Sequence, residues 1–452
     1  MDGTNLTRRS LAAYDRPVPR YTSYPTAAQF HAAVGPSDHR AWLAALPDDR
    51  ATVYLHVPFC KQLCWYCACN TSAMSRTQPL DDYAQALMRE IDLVADAVPH
   101  LLVGTIQWGG GTPSQLGAVR LAQVSRHLAG RFDRASSAET SVEVDPRFCD
   151  EAFVAAMVDA GVTRVSVGVQ DFDIDVQSAI NRLQSVEVTG AAIGRFRDSG
   201  VRHVNIDLVY GLPRQTLDSL SRTLDVALAI RPERFAVFGY AHVPWMKTRQ
   251  QLIDVSTLPG LPERAAMADL VAERLVAAGY NRIGLDHFAL PADPLATAAG
   301  RGQLRRSFQG YVAEALPSVV GLGASAISSL PQGFVQNASD TKRYQSAIAA
   351  GLLATERGVA THAADRLRAE IIDRLMCNFS ADLGEICRRH EFAVGPFLAG
   401  IAELPALIDD GLVRLDGDRL HVTDRGQPLV RFVCAAFDQY LAQGKGRHSS
   451  GI

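Results

Sequence analysis

The sequence predicts an α/β fold: an incomplete (β/α)6 TIM-like barrel over residues 49–360, preceded by an N-terminal arm (1–48) and followed by a small, mainly helical, winged-helix-like C-terminal domain (361–452). Three observations predict it. Six short β-like runs alternate with amphipathic helical stretches from about residue 50 onward. Those runs are apolar on one parity and polar on the other. Beyond about residue 361 the alternation gives way to helical spacing and a hairpin signal.

The runs read TVYLHV (52–57), GTIQW (104–108), SVEVD (141–145), RVSVGVQ (164–170), HVNIDLVYG (203–211) and RFAVFGYAH (234–242). Helical spacing fills the gaps. Tyr83, Leu87, Ile91 and Val94 form one stripe, and Phe153 and Met157 begin another that Gly161 closes. Leu220, Leu224 and Leu228 form a third, ended by Pro232. Six βα units in series call for a parallel sheet with helices outside.

Parity then chooses among parallel folds. Val142 and Val144 oppose Glu143 and Asp145; Val165, Val167 and Val169 oppose Ser166, Gly168 and Gln170; Val204, Ile206 and Leu208 oppose Asn205 and Asp207. In the first run Tyr54 and His56 oppose Val53, Leu55 and Val57. A doubly wound sheet is covered on both faces and reads as nearly continuous apolar runs. A closed eight-stranded barrel fills its lumen with branched aliphatics. An open, curved barrel whose polar inner face meets a polar ligand satisfies the alternation. An antiparallel sheet with one wet face conflicts with the intervening helices.

The flanking segments are read more coarsely. GYNRIGLDHFAL (279–290) and VVGLGASAISSL (319–330) look like further buried parts of the core. AADRLRAEIIDRLMCNF opens the helical C-terminal part, and GLVRLDGDRLHVT reads as a hairpin turning at Asp416-Gly417. That module mixes acidic and basic residues, so a structural or lid role suits it better than DNA binding. Prolines flank PRYTSYP and make it an extended arm. The tail GKGRHSSGI reads as disordered.

Composition bounds the function classes. A formal net charge of −3 over 452 residues gives no reason to expect nucleic acid or an anionic membrane as partner. No stretch approaches the ~18 uninterrupted apolar residues of a membrane span. LTRRSLAAYDRP superficially resembles a twin-arginine signal, but no apolar region follows it, and we read a cytoplasmic terminus.

Of the eight cysteines, four fall within HVPFCKQLCWYCACN (56–70): Cys60, Cys64, Cys67 and Cys69. Cys149, Cys377, Cys387 and Cys434 are scattered among apolar neighbours and read as buried thiols. One cluster beside scattered singles points to metal rather than disulfides. Zinc knuckles come in spaced pairs, and no second pair follows. A redox pair leaves Cys60 and Cys69 unexplained. A Cys-x3-Cys-x2-Cys loop after the first strand can instead hold three irons of a 4Fe–4S cluster, leaving the fourth open. Cys69 sits closer to Cys67 than ferredoxin spacings, so three ligands with Cys69 in another role is the preferred reading, a four-ligand cluster the alternative. Phe59, Trp65 and Tyr66 would shield the cluster from water.

That loop resembles the signature of radical S-adenosylmethionine (SAM) enzymes. With PRYTSYPTA, WGGGTPS, VEVDPR, GVQDF, NRLQ, NIDLVYGLP, YAHVP, DHFALP and FQGY in order along the chain, the sequence is similar to the oxygen-independent coproporphyrinogen III oxidases (dehydrogenases) of haem biosynthesis. The resemblance covers essentially the whole chain. It implies that SAM chelates the open iron and that its reductive cleavage yields a 5′-deoxyadenosyl radical. The radical then abstracts hydrogen from a propionate of the tetrapyrrole, which loses carbon dioxide to become a vinyl group, twice per substrate.

The resemblance also implies two bound SAM molecules. Tyr54, Gly110 and Glu143 would serve the first; Tyr66, Gly111, Thr112, Gln170, Arg182, Asp207, Ala241 and Ile327 the second. Cys60, Cys64 and Cys67 would be the metal ligands and Cys69 a catalytic residue. Residue chemistry supports parts of this. Glycines 109–111 let backbone approach a ligand closely, Glu143 on the polar parity can accept from ribose hydroxyls, Gln170 and Asp207 share its parity, and Arg182 can pair with a carboxylate. A tetra-anionic substrate needs cations, and Arg20, Arg305 and Arg306 are candidates. Departures from the family pattern are Val312-Ala313, where two threonines are common, and Leu290, where some members carry arginine. Implied partners are coproporphyrinogen III and an electron donor such as flavodoxin or ferredoxin, with no nucleic acid, no membrane and a monomeric protein. The alternatives are a radical SAM tetrapyrrole methyltransferase or ring-opening enzyme, or a haem-trafficking relative.

Overall fold

Alternating burial requires helices on one face of a sheet and an enclosed space on the other, and the chain builds both. The computed structural model describes residues 14, 16–47, 50–308, 310–314, 316–441 and 449. The arginine pair at 8–9 and, apart from Ser449, the tail from 444 lie outside those residues. The six runs become β1 (Arg50–Val57), β2 (Leu102–Gly110), β3 (Asp133–Val144), β4 (Arg164–Gln170), β5 (His203–Tyr210) and β6 (Arg234–Gly239). They alternate with α1 (Gln78–Ala97), α2 (Ala118–Arg131), α3 (Glu151–Asp159), α4 (Val186–Asp198), α5 (Leu217–Ile230) and α6 (Leu261–Ala277). All six strands are parallel and neighbours in sequence order.

The two buried segments widen the sheet to twelve strands. On the β6 edge, β7 (Asn281–Ile283) and β8 (His287–Ala289) run antiparallel. On the β1 edge, β11 (Ser318–Leu322) is a seventh parallel strand, followed by antiparallel β12 (Ile327–Leu330), β13 (Gly333–Asn337) and β14 (Thr355–Ala360). Among the described residues β14, bridged by His31 at Gly358, and β7 are the two end strands of the sheet and do not pair with each other, so the barrel is open. A separate hairpin, β9 (Arg305–Ser307) and β10 (Gly310–Val312), lies outside the sheet.

The outer face is dry. Val165, Val167, Val204, Ile206 and Leu208 are fully buried in one core with Tyr83, Leu87, Ile91 and Phe196. Each such side chain contributes about 1.5–3 kcal/mol. One strand differs from its sequence reading. β3 begins at Asp133, eight residues before SVEVD, because a polar stretch pairs with β2 through a register shift between Val103 and Thr105. Without apolar alternation that extension has no sequence signal.

After α7 (Thr341–Ala349), α8 (Ala363–Asn378) leads into a three-stranded sheet of β15 (Ser380–Asp382), β16 (Val413–Asp416) and β17 (Arg419–Val422), order β15-β17-β16. The β16–β17 turn carries Gly417 at φ 59°, left-handed as a tight hairpin turn requires. The arm is not free. Tyr14, Val18, Tyr21 and Tyr24 are buried with Leu367, Ile371, Phe432 and Phe437, and Arg431 donates to the Val18 and Pro19 carbonyls. No helix of the described residues is long and apolar enough to cross a membrane.

Candidate active site

The cysteine loop leaves the C-terminal end of β1, the end at which sites of βα barrels are built. Each of its first three sulfurs meets protein donors. Thr71 Oγ1 donates to Cys60 Sγ at 3.1 Å, and Thr112 Oγ1 lies 3.6 Å away. Arg182 Nη1 reaches Cys64 Sγ at 3.4 Å, with Arg147 Nη2 at 3.8 Å. Cys67 Sγ accepts from the backbone N–H of Cys69 at 3.3 Å. Hydrogen bonding from Cys69 lowers the Cys67 pKa to about 6, whereas that same bond and the Cys67 charge drive the Cys69 thiol well up. Within the pair the negative charge is favoured on Cys67. All eight cysteines are free.

These donors suit thiolates that each bind a separate iron. Among the described residues no three His, Cys, Asp or Glu side chains converge on a single-ion site, and a cluster does not ask them to. Its ligands sit on different irons. Trp65 and Tyr66 pack on Val176, Ile180 and Leu212, giving the loop an apolar backing.

Glycines end β2 next to this loop, but for a reason the sequence did not disclose. A Cβ on Gly111 would stand 2.4 Å from Thr71 Oγ1 and 2.6 Å from the Phe59 carbonyl; on Gly110, 2.8 Å from His56 Cε1; on Gly109, 2.9 Å from the Glu143 carboxylate. The glycines make room for the protein's own loop and side chains. Gly110 also has φ 116° and donates its N–H to Glu143 Oε2 at 3.1 Å.

Glu143 joins the cysteine rim to the lumen. Its side chain is exposed to the open lumen, and the protein crowded around it, then the Asp207 charge, push its pKa up to about 7. Asp207 accepts from Ser166 Oγ at 3.0 Å and Asn205 Nδ2 at 2.7 Å, and burial raises its pKa too. Tyr54, Gln107, Glu143 and Asp207 line a cavity of about 1160 Å³, larger than the ~300–1,000 Å³ of common small-molecule pockets. Arg20, His287, Arg305 and Arg306 line it as well.

Two residues reach the site differently from the sequence reading. Gln170 does not lie on the Glu143 parity by simple alternation: the β4–β5 register shifts between Gly168 and Gln170, which pairs with Leu208. A left-handed φ of 72° instead folds its side chain over Gly168, where a Cβ would meet Gln170 Nε2 at 2.9 Å. Arg182 is buried, and its carboxylate partner is the protein's own Asp145, at 3.0 Å; Nη2 donates to the Gly168 carbonyl. Only its Nε lacks a partner. Asp145 is held below the usual carboxylate range by Arg182 and Arg147 despite its burial.

The remaining residues are spread around the mouth. Gln250 Nε2 bridges the Tyr66 carbonyl at 2.7 Å and the Ala241 carbonyl at 3.1 Å. Ile327 is set apart at the start of β12, two residues after Ser325, whose hydroxyl lies 3.3 Å from His56 Nε2. Arg20 Nη2 donates to the Gly239 carbonyl at 2.8 Å. Arg306 stacks 4.6 Å over the Tyr311 ring, 3.6 Å from Asp286, while Arg305 faces Asp373 at 3.6 Å. His56 is the residue sequence reasoning missed. It bonds Tyr54 Oη at 2.9 Å and the Asn70 carbonyl at 3.1 Å, and burial lowers its pKa to about 4, so it stays neutral. Its signal was present: the polar parity of β1, four residues before Cys60.

The radical SAM superfamily matches residues 54–227, and the HemN C-terminal domain matches residues 362–429. An oxygen-independent coproporphyrinogen III oxidase of Bradyrhizobium diazoefficiens is 46% identical over 437 residues, 96% of this chain and 97% of the relative. Its counterpart in Paracoccus denitrificans is 42% identical over 98% of both chains. The chain belongs to the oxygen-independent coproporphyrinogen III oxidase family. The solved structure of the Escherichia coli radical SAM enzyme coproporphyrinogen III oxidase (HemN) superposes with a TM-score of 0.89 at 36% identity, covering 93% of this chain and 97% of that one. As a radical SAM family member the chain uses a 4Fe–4S cluster and SAM, and the donor set around Cys60, Cys64 and Cys67 fits the cluster.

Proposed function

We propose that this chain is an oxidoreductase that decarboxylates two propionates of coproporphyrinogen III to vinyl groups without oxygen, giving protoporphyrinogen IX. The observation that carries the reading is Glu143: its carboxylate accepts from Gly110, at the end of β2 beside the cysteine loop, and lines the same cavity as Arg20, Arg305 and Arg306. When bound, the cluster and SAM supply one-electron hydrogen abstraction; the protein's part is to bind, orient and exclude water.

Cys60, Cys64 and Cys67 are the cluster ligands in this reading, and Cys69 a protonated neighbour that acts on substrate or cofactor. Glu143, with Gly110 and Tyr54, takes the first SAM. The second lies among Tyr66, Gly111, Thr112, Gln170, Asp207, Ala241 and Ile327, with Arg182 contributing its one free donor rather than a whole guanidinium fork. In this reading Arg20, Arg305 and Arg306 meet the tetra-anionic substrate, and Glu143 and Asp207 the cationic cofactor. The arm and the C-terminal part, bounded as read from the sequence at 1–48 and 361–452, close the lumen against water. A cytoplasmic monomer reduced by a small electron-transfer protein completes the proposal; eight free thiols accord with a reducing compartment.

The test is an anaerobic assay of reconstituted enzyme with coproporphyrinogen III, SAM and dithionite. Loss of two carbon dioxide units per substrate, with methionine and 5′-deoxyadenosine accumulating, is the expected result. A heavier tetrapyrrole together with S-adenosylhomocysteine would overturn it in favour of methyl transfer.

A further inference from the structure

Resting on that reading, an electron must reach the cysteine loop from outside, and the loop's surroundings differ from the rest of the surface. Exposed apolar side chains flank it on both sides. Trp245 is 46% exposed, Met246 63% and Leu183 58%. Single exposed apolar residues are ordinary; these are tied to the loop. Lys247, next to Met246, donates to the Cys69 carbonyl at 3.3 Å. Asn181, two residues before Leu183, donates to the Leu63 carbonyl at 2.9 Å and accepts from Gln62 at 3.1 Å.

Among the described residues, none of the three cations beside the loop is paired with a carboxylate. Lys247 and Arg249 are held by the carbonyls of Cys69 and Thr71, and Lys61 lies 5.0 Å over the Phe148 ring. Segment 241–258 is rigidly seated. Gln250 and Ile253 are buried beneath it, the first bonded to Tyr66, the second packed with Trp65 and Tyr66. A partner landing on Trp245 and Met246 therefore stands one layer of protein from the cluster ligands. Aromatic and Met anchors with a cationic rim are the composition of a contact site for an acidic protein.

We propose that the face formed by Leu183, Lys61, Trp245, Met246 and Lys247 docks a small acidic one-electron carrier protein. In the step served, the reduced carrier loses one electron and the oxidised cluster gains it; no bond or proton is transferred.

The test uses full-length reconstituted enzyme, a flavodoxin as probe, and two variants, Trp245→Ser/Met246→Glu and Leu183→Glu. Calorimetric titration of flavodoxin onto the enzyme reads docking, and turnover is driven in parallel by dithionite or by reduced flavodoxin. The expected result is wild-type iron content and dithionite-driven rate, with flavodoxin binding weakened at least tenfold and its KM raised to match. Wild-type binding should itself weaken as salt rises. Variants that bind and accept electrons from flavodoxin as the wild type does would overturn the proposal. So would a wild-type dimer that either variant makes monomeric, which would make the face a self-interface. No turnover even with dithionite would instead sink the functional reading, and calorimetry would then decide the docking face alone.

Discussion

Two glutamates, Glu90 in the core and Glu143 exposed to the lumen, both have a pKa pushed up to about 7, in opposite surroundings. Glu90 on α1 accepts from Gly323 N–H at 2.6 Å, Asn337 Nδ2 at 2.6 Å and Tyr344 Oη at 2.7 Å. Its neighbour Tyr83 ties the same loop to β1, donating to the His56 carbonyl at 2.7 Å and accepting from Ala324 N–H at 3.0 Å. Glu143 has one donor, the Gly110 N–H, and a second carboxylate, Asp207, close enough to oppose its charge. Buried polar groups in a finished structure find their partners. The saturated carboxylate of Glu90 is architecture; that of Glu143, exposed to the lumen, is open to water or a ligand.

The sharpest way to break this contrast is at the rim itself. Cys60→Ala, Cys64→Ala and Cys67→Ala should each abolish the 4Fe–4S absorbance after anaerobic reconstitution, whereas Cys69→Ala should keep about four irons per chain yet lose turnover. Iron loss from Cys69→Ala would make the protonated-neighbour role untenable.

Next in size is Glu90→Ala, which leaves three buried donors without an acceptor and should cost about 3 kcal/mol of folding stability. Denaturant unfolding of the cluster-free protein measures it. Glu143→Gln should leave that stability nearly unchanged but weaken SAM binding to the loaded enzyme by roughly 1.5–3 kcal/mol, read by calorimetric titration. Equal stability losses for the two variants would erase the distinction.

The smallest effect is a pH slope. Glu90 has a folded pKa raised from its usual 4.5 to about 7, so between those values the folded state holds the extra proton. Stability from this group is then present at low pH and is lost as pH rises towards 7. The Tm advantage of the wild type over Glu90→Gln should accordingly shrink between pH 5 and 7.5, and a gap that widened over that range would contradict the assigned shift.

What the sequence could disclose was periodic or contiguous. Strand parity placed Val165, Val167, Ile206 and Glu143 on their observed faces, and the loop from His56 to Asn70 held the whole rim. What escaped it depends on distance or on broken periodicity. Arg182 meets Cys64 across 118 residues, and Glu90 meets Tyr344 across 254, neither within reach of any local pattern. Gln170 arrives over Gly168 through a bulge and a left-handed backbone, which alternation cannot foresee. The β9–β10 hairpin consists of three-residue strands, too short to register a period.

The arm's attachments carry a consequence for how the chain is made. Tyr21 bonds Asp438 across 417 residues, Tyr24 bonds the backbone of Gln439 across 415, and Arg431 holds the Val18 and Pro19 carbonyls. Residues 14–24 thus leave the ribosome some four hundred residues ahead of every one of these partners. Closing so long a loop is slow, so the arm takes its seat only once the far end of the chain has been made and folded.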